Sequence, residues 1–438
     1  MKPVRVGLIG LGAVGAQVAR ILVEEGATSL AARAGAPLRL VKAAVRDISK
    51  TRQFAPDPSM LTTDPFEVVN SPEVDIVVEL IGGENPAFDL AIGAARKRKG
   101  FVTANKLLLA LRGAEVFEAF EKCGARLGYE ASVAGAIPIL RAIRESFVGD
   151  TLERVQGIVN GTGNYILSRM TDEGIPFDDV LKDAQRLGYA EADPTLDVEG
   201  IDSAHKIAIL AALAFETIVD FSDVYTEGIT RITPEDVESA RQLGYRIKLL
   251  GIASKVDGAI SLRVHPAMLP ERSFMANVNG PFNAVETQGK NAGVNTLVGR
   301  GAGGGPTATA TLSDIISIAR DITSGGAPRM APLGAPISGL GKLPVIPMDE
   351  LRTEYYLRFT VPDRPGVLAQ IAGALGDNGI SIASMIQRER MENQPVSVVL
   401  MTHDAVEADM KKALAQIEAT GICLAPTMII RIAENGGD

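Results

Sequence analysis

Residues 4–15 read VRVGLIGLGAVG: a β-branched apolar run breaks at Gly10-x-Gly12-x-x-Gly15 and passes into a helical pattern through Val18, Ile21 and Leu22. A glycine-rich turn between a buried strand and a helix lets the backbone approach a pyrophosphate and aims unpaired N–H groups at its charge. The triplet alone is a weak signal. Its place between a strand and a helix makes Gly10, Gly12, Ala13, Val14 and Gly15 candidate cofactor contacts. The expected class is α/β, with an N-terminal Rossmann-type dinucleotide-binding domain.

The strands that follow extend this reading. A second strand, Leu38 to Val45, ends in Arg46-Asp47, with Lys50 close behind. In this fold an acid here holds the ribose 2′-OH, and an arginine accommodates a 2′-phosphate. Arg46 comes first, so the reading leans to NADP and leaves NAD open. A third strand, Asp75 to Ile81, ends in Gly82-Gly83, and a fourth, Phe101 to Ala104, ends in Asn105-Lys106. Ligands of open α/β sheets sit at the carboxyl ends of the strands, which makes Lys106 a candidate site lysine. A fifth strand, Arg126 to Tyr129, leads into EASVAGAIP at 130–138.

Past about Ile137 the pattern changes to a helix (Pro138 to Ser146), a strand (Thr151 to Val159) and a turn (Asn160 to Asn164). Asn160, Thr162 and Asn164 are short polar groups that can satisfy the turn's own backbone. Residues 188–206, GYAEADPTLDVEGIDSAHK, carry five carboxylates (Glu191, Asp193, Asp197, Glu199, Asp202) before a lysine and an apolar run. Pro194 makes the first half a loop. From about Glu199 the spacing is helical, which places Glu199, Asp202 and Lys206 on one face and makes Asp202 and Lys206 a four-residue pair. Such a lysine and its acids suit a substrate ammonium and a proton transfer. The plainer reading is acids complementing a helix dipole. Strand-like runs near Leu249 to Ser254 and Ala259 to Val264 follow. A second glycine cluster, GRGAGGGPT at 299–307, opens a helix from Thr307 to Ile322 that is expected to pack back on the first domain.

With 438 residues, two or three domains are expected. A net charge of −9 argues against nucleic acid or an anionic membrane as partner. Cys123 and Cys423 lie far apart, which fits a reducing cytoplasm, and His205, His265 and His403 show no metal-binding spacing. No run reads as a membrane span. Residues 326–350 are rich in Gly and Pro and read as a linker. Beyond it the order is strand (Tyr355 to Val361), helix (Val367 to Leu375), strand (Ile380 to Arg388), strand (Val396 to Thr402), helix (Val406 to Ala419) and strand (Ile422 to Ile432). That βαββαβ order is ferredoxin-like, with edges expected to pair with a second copy.

Taken together, GLIGLGAVG at 7–15, VELIGG at 78–83, TANK at 103–106, NGTGNYIL at 160–167, the 188–206 stretch and GRGAGGGPTA at 299–308 resemble homoserine dehydrogenase of the long type. DRPGVLAQIA at 363–372 resembles the first turn and helix of an ACT domain. Leu107 departs from the alanine of many relatives. The resemblance implies a dinucleotide domain at 1–136 completed by 306–325, an α+β catalytic and dimerisation domain at 137–305, and an ACT regulatory domain at 351–434. It implies NAD(P)-dependent interconversion of L-homoserine and L-aspartate 4-semialdehyde on the route to threonine and methionine. By similarity Lys206 and Lys106 are catalytic, Glu191, Asp197, Asp202 and Lys206 hold substrate, and Gly188 and Gly303 join Arg46 and Lys106 near the cofactor. It also implies a sodium site from Glu130, Val133, Gly135 and Ile137, and threonine acting around Asp363, Gly366, Asn378 and Ile380 in a homodimer or homotetramer. The competing readings are an inactive amino-acid sensor and another ACT-linked dehydrogenase, which would need a histidine–acid pair.

Overall fold

The computed structural model describes residues 2–387 and 395–433. Arg388 and Glu434, the expected ends of one strand and of the last domain, lie outside the described residues. The N-terminal sheet is built from β1 (Val4–Ile9), β2 (Leu38–Ala44), β3 (Leu61–Thr62), β4 (Ile76–Glu79), β5 (Gly100–Thr103) and β6 (Leu127–Gly128). All pairings are parallel and the order is β3-β2-β1-β4-β5-β6, the doubly wound arrangement. Period-two alternation explains the two layers of core. Val6, Leu8, Ile76, Val78 and Val102 face one apolar cluster, whereas Ile9, Val77 and Phe101 face the other. Helix α1 (Ala13–Glu25) packs on the first face beside α2 (Ser29–Ala34), and α3 (Pro65–Asn70), α4 (Ala87–Arg96) and α5 (Lys106–Cys123) cover the second. Each fully buried side chain of this size stabilises the domain by about 2 kcal/mol.

Strand β4 stops two residues short of the expected Ile81. The buried Glu79 carboxylate accepts the N–H groups of Ile81 and Gly82 (2.8 and 3.0 Å) and turns the chain there. The expected helix at 138–146 is one α-helical turn, α6 (Ile139–Arg141), that widens into a π turn at Ala142–Ser146.

The middle of the chain alternates β7 (Leu152–Ile158), α7 (Gly161–Glu173), α8 (Phe177–Arg186), α9 (Thr195–Val198), α10 (Ile201–Ala214), β8 (Tyr225–Thr226) and α11 (Pro234–Gln242). The hairpin β9 (Tyr245–Val256) and β10 (Ala259–Pro270), then β11 (Phe282–Gly289), β12 (Gly293–Arg300) and α12 (Gly304–Thr323) complete it. The two runs at 249–264 thus belong to a longer antiparallel ladder. Helix α12 packs back on the first sheet, where Leu312, Ile315, Ile318 and Ala319 join the α1 cluster. Helix α10, almost wholly buried, is wedged between β9 and α5. That wedge brings the first turns of α5 and α10 together.

Glu199 is not in phase with Asp202 and Lys206: Gly200 takes a left-handed φ of +81° and restarts the helix at Ile201. The Glu199 carboxylate accepts from the Thr230 hydroxyl instead (3.1 Å). Residues 326–350 are not a free linker but a strap laid over the middle domain. Leu333 is buried, the Thr217 hydroxyl donates to Gly341 O (3.0 Å), and Ile260 exchanges backbone bonds with Pro344 O and the Ile346 N–H (2.8 and 2.7 Å).

The C-terminal unit contains β14 (Tyr355–Pro362), α13 (Val367–Asp377), β15 (Ile382–Gln387), β16 (Pro395–Thr402), α14 (Glu407–Ala419) and β18 (Met428–Ile432), with a small ladder of β13 (Arg352–Thr353) and β17 (Ala405–Val406). The order β18-β14-β16-β15 is the ferredoxin-like sheet. Its β18 edge is not left for a second copy: β18 pairs in parallel with β10, Ala267 beside Arg431 and Met268 beside Ile432. The C-terminal sheet and the sheet of the middle domain are therefore continuous. Buried Asp236, which completes the capping box of α11 with Thr233, accepts from Arg358 (2.6 and 3.0 Å) and from the Tyr356 hydroxyl (3.1 Å), clamping the two units together.

Candidate functional site

The glycine turn is shaped for close approach. Gly10 has φ +100°, and a Cβ on Gly15 would lie 2.0 Å from Gly10 O, so the turn closes only with glycine there. Ala16 N–H is bonded to Gly12 O (2.9 Å), so the amides of Ala13, Val14 and Gly15 precede the first intrahelical bond of α1. Apart from its own chain neighbours, nothing lies within 4 Å of where a Gly12 Cβ would sit. The start of α12 comes alongside: Gly303 has φ +114°, and a Cβ on Gly304 would be 3.1 Å from Ala13 O. Two helix N-termini thus converge at the carboxyl end of β1, an arrangement that fits a pyrophosphate. Arg46 stands exposed just past β2.

Across from this turn, the carboxyl ends of β4 and β5 are tied into one network. The Thr103 hydroxyl donates to Glu79 (2.6 Å), the Asn105 side chain donates to Gly83 O (2.6 Å), and Asn105 Oδ1 caps α5 through Leu108 N–H (3.1 Å). Lys106 follows as the first residue of α5. Its ammonium meets Asp202 Oδ1 at 3.0 Å, and Lys206 meets Asp202 Oδ2 at 2.7 Å. The Lys206 ammonium also donates to Val159 O (2.6 Å). Asn160 completes the cluster: its amide donates to Asp197 (2.7 Å) and Asp202 (2.8 Å) while its oxygen caps α7 through Gly163 N–H (2.7 Å).

Charge is distributed unevenly over these groups. Burial pushes the Asp202 carboxyl upward, but Lys206 and Lys106 outweigh it and hold the group below the usual carboxylate range. Asp197 is raised, by burial first and by Asp202 second. The field of Asp202 raises the Lys106 ammonium despite burial. Burial lowers the His205 imidazole. Lys106 therefore stays an ammonium at neutral pH. The arrangement can hold a small polar substrate's oxygen against two ammonium groups and an amine against carboxylates.

This architecture is matched along the chain. The model for the homoserine dehydrogenase NAD binding domain covers residues 10–130, that for homoserine dehydrogenase 138–316, and that for the ACT domain 355–421. The homoserine dehydrogenase of Neisseria gonorrhoeae is 44% identical over 434 residues, 99% of each chain. The chain belongs to the homoserine dehydrogenase family. The crystal structure of a homoserine dehydrogenase from Thiobacillus denitrificans superposes with a TM-score of 0.93 at 47% identity and 99% coverage of both chains. A hyperthermophilic archaeal homoserine dehydrogenase in complex with NADPH aligns with 72% of this chain and 98% of its own, at a TM-score of 0.62 and 25% identity.

Glu191 is exposed on the loop before α9, and Gly188 (φ +77°) ends α8 on the same loop. Glu130 is buried and accepts Leu140 and Arg141 N–H groups (3.0 and 2.9 Å); burial and neighbouring Asp314 push its carboxyl up to about 7. Val133, Gly135 and Ile137 are buried on the same loop, which curls through Ala134 and Gly135 at φ +54° and +56°. In the ACT unit Gly366 (φ +91°) precedes α13 and Asp363 lies in the turn before it. Asn378 donates to Ala374 O and Gln416 (both 2.8 Å). Ile380 points into the ACT core, so only its backbone is placed to meet a ligand. Sequence reasoning missed Asn160, treated there as a turn residue, and Asp314, buried beside Glu130 and Arg141. The polar NGTGN turn directly after a buried strand was the available signal for Asn160.

Proposed function

We propose that this chain interconverts L-homoserine and L-aspartate 4-semialdehyde, with Lys206 and Lys106 as its catalytic residues. The observation that carries the reading is the sharing of Asp202 by both lysines. In the direction of reduction, a bound dinucleotide would supply a hydride to the aldehyde carbon, and the carbonyl oxygen would then need a proton. Two of the three Lys206 N–H bonds go to Val159 O and Asp202; among the described residues the third has no partner and faces the task of donating to that oxygen. Lys106, kept charged by Asp202, stabilises the developing negative charge. Oxidation of homoserine runs the same steps backwards, with the hydroxyl proton returning to Lys206. Asp197 and Glu191 receive the substrate ammonium, and Asn160 fixes Asp197 relative to Asp202.

NADP is the favoured dinucleotide: Gly10, Gly12, Ala13, Val14, Gly15 and Gly303 would hold the phosphates, Gly188 would face the cofactor from the substrate loop and Arg46 would meet the 2′-phosphate, in keeping with the NADPH bound by the archaeal relative. Glu130 with the carbonyls of Val133, Gly135 and Ile137 fits a monovalent cation such as sodium: burial and Asp314 disfavour the charged Glu130 carboxylate, and a bound cation would favour it. The ACT unit binds a small amino acid, threonine, near Asp363, Gly366, Asn378 and Ile380, in a cytoplasmic homo-oligomer. The comparisons support a dehydrogenase over an inactive sensor. Homoserine-dependent reduction of NADP tests the reading; purified, folded protein that turns over homoserine with neither NADP nor NAD would overturn it.

A further inference from the structure

We propose that residues 225–231 position the substrate loop and are themselves held by the ACT sheet, so that Glu227, Gly228 and Thr230 are positioning residues of the reaction. The segment touches both sides. On the ACT side, buried Arg431 of β18 is bound by Glu407 (2.8 and 2.6 Å) and extends its remaining nitrogen to Glu227 (2.8 Å). The Tyr225 hydroxyl bonds to the same Glu227 oxygen (3.0 Å), and Arg231 donates to Thr427 O, one residue before β18 (3.0 Å). On the catalytic side, Ile229 N–H donates to Val198 O (2.8 Å) and the Thr230 hydroxyl to Glu199 (3.1 Å). Gly228 is pressed against the same loop: a Cβ there would lie 2.5 Å from Val198 O and 2.6 Å from Glu199 Cα.

Val198 and Glu199 stand between Asp197, which Asn160 holds, and Asp202, which holds both lysines. Residues 225–226 are paired with β10 and Glu227 N–H donates to Val264 O (2.8 Å), so a shift of β18 relative to β10 pulls on the Glu227 and Arg231 side chains of a segment anchored at its start. Because Gly228 leaves no slack, the displacement passes to Val198 and so to Asp197. An effector bound to the ACT unit needs only to change how β18 sits, with no contact of its own to the site. This last step rests on the reading of the ACT unit as the amino-acid-binding part; the positioning role does not.

The test uses the full-length chain with Glu227→Ala, which leaves Arg431 paired with Glu407, and Thr230→Val, which keeps the side-chain volume. Both variants are expected to raise the KM for homoserine at least fivefold with the KM for NADP unchanged, and to speed amide exchange across 197–202 at least tenfold. Unchanged homoserine KM and exchange in both variants would overturn the proposal, and a parallel rise in both KM values would reassign the segment to general stability. Threonine titrated by calorimetry and by rate then separates the two readings. Wild-type affinity with less than twofold inhibition in Glu227→Ala, against more than fivefold in the parent, supports the coupling. Equal inhibition in variant and parent contradicts it. A parent that binds no threonine removes the effector reading and leaves the positioning role to stand on the kinetic and exchange results.

Discussion

Lys106 and Lys206, 100 residues apart in the chain, grip opposite oxygens of one carboxylate, at 3.0 and 2.7 Å from Asp202. The first-domain lysine starts α5 and the second sits in the second turn of α10, so closure of the two helices sets the spacing of both ammonium groups. Replacing Asp202 by Asn leaves two cations facing a neutral amide in a site that is largely buried on the α10 side. The expected loss in kcat/KM for homoserine is on the order of 100-fold, and the expected loss in stability is about 3 kcal/mol by urea unfolding at pH 7.

The pH dependence of that stability difference follows from the sign of the shift. Asp202 has its folded pKa depressed, so its contribution is present above the unfolded value of about 3.9 and is lost as pH falls below it. The urea midpoints of wild type and Asp202→Asn should differ by a constant amount from pH 5 to 7 and converge below about pH 4. A gap that stays constant down to pH 3 would contradict the assignment of the two lysines as the partners that depress it.

Cofactor choice is expected to hang on Arg46. Its removal to Ala should raise the KM for NADP about tenfold, corresponding to about 1.4 kcal/mol, while the KM for NAD changes less than twofold. Equal effects on both would place the 2′-phosphate elsewhere.

A monovalent cation at Glu130 predicts a stability that responds to which salt is present. Exchanging tetramethylammonium chloride for sodium chloride at equal ionic strength should raise the wild-type Tm by several degrees and leave Glu130→Gln unmoved. The same rise in both proteins would mean that sodium acts elsewhere.

Asp236 is fully buried between α11 and β14, and it both completes the capping box of its helix and pairs with Arg358. Its replacement by Ala leaves the Arg358 guanidinium without this partner and breaks the capping box, for an expected cost of about 3–5 kcal/mol in urea unfolding. A cost below about 1 kcal/mol would show that the clamp between catalytic and ACT units is weak.

Local chemistry made much of this chain readable. The strand, glycine turn and helix at 4–25 follow from short-range pattern, as do the carboxyl-end position of Lys106 and the Asp202–Lys206 pair one helical turn apart. The pairing of Lys106 with Asp202 was not readable, because it depends on how α5 and α10 pack. Glu199 was misplaced because helical phase was carried through Gly200, whose left-handed φ resets it. The strap at 326–350 has no period to detect; it is held by single contacts such as the Thr217 hydroxyl to Gly341 O, which composition cannot register. The joining of β18 to β10 spans residues 268 to 432 and rests on two strand edges meeting, a long-range choice that neither edge encodes alone.

In the proposed reaction Lys206 exchanges the substrate proton. Single-turnover reduction of NADP by homoserine should be compared for wild type and Lys206→Met at equal NADP occupancy, with circular dichroism showing matched folding. The expected result is a rate lowered at least 1,000-fold in Lys206→Met with the dissociation constant for NADP unchanged. A rate within tenfold of wild type would contradict the assignment and move the proton transfer away from the Asp202 cluster.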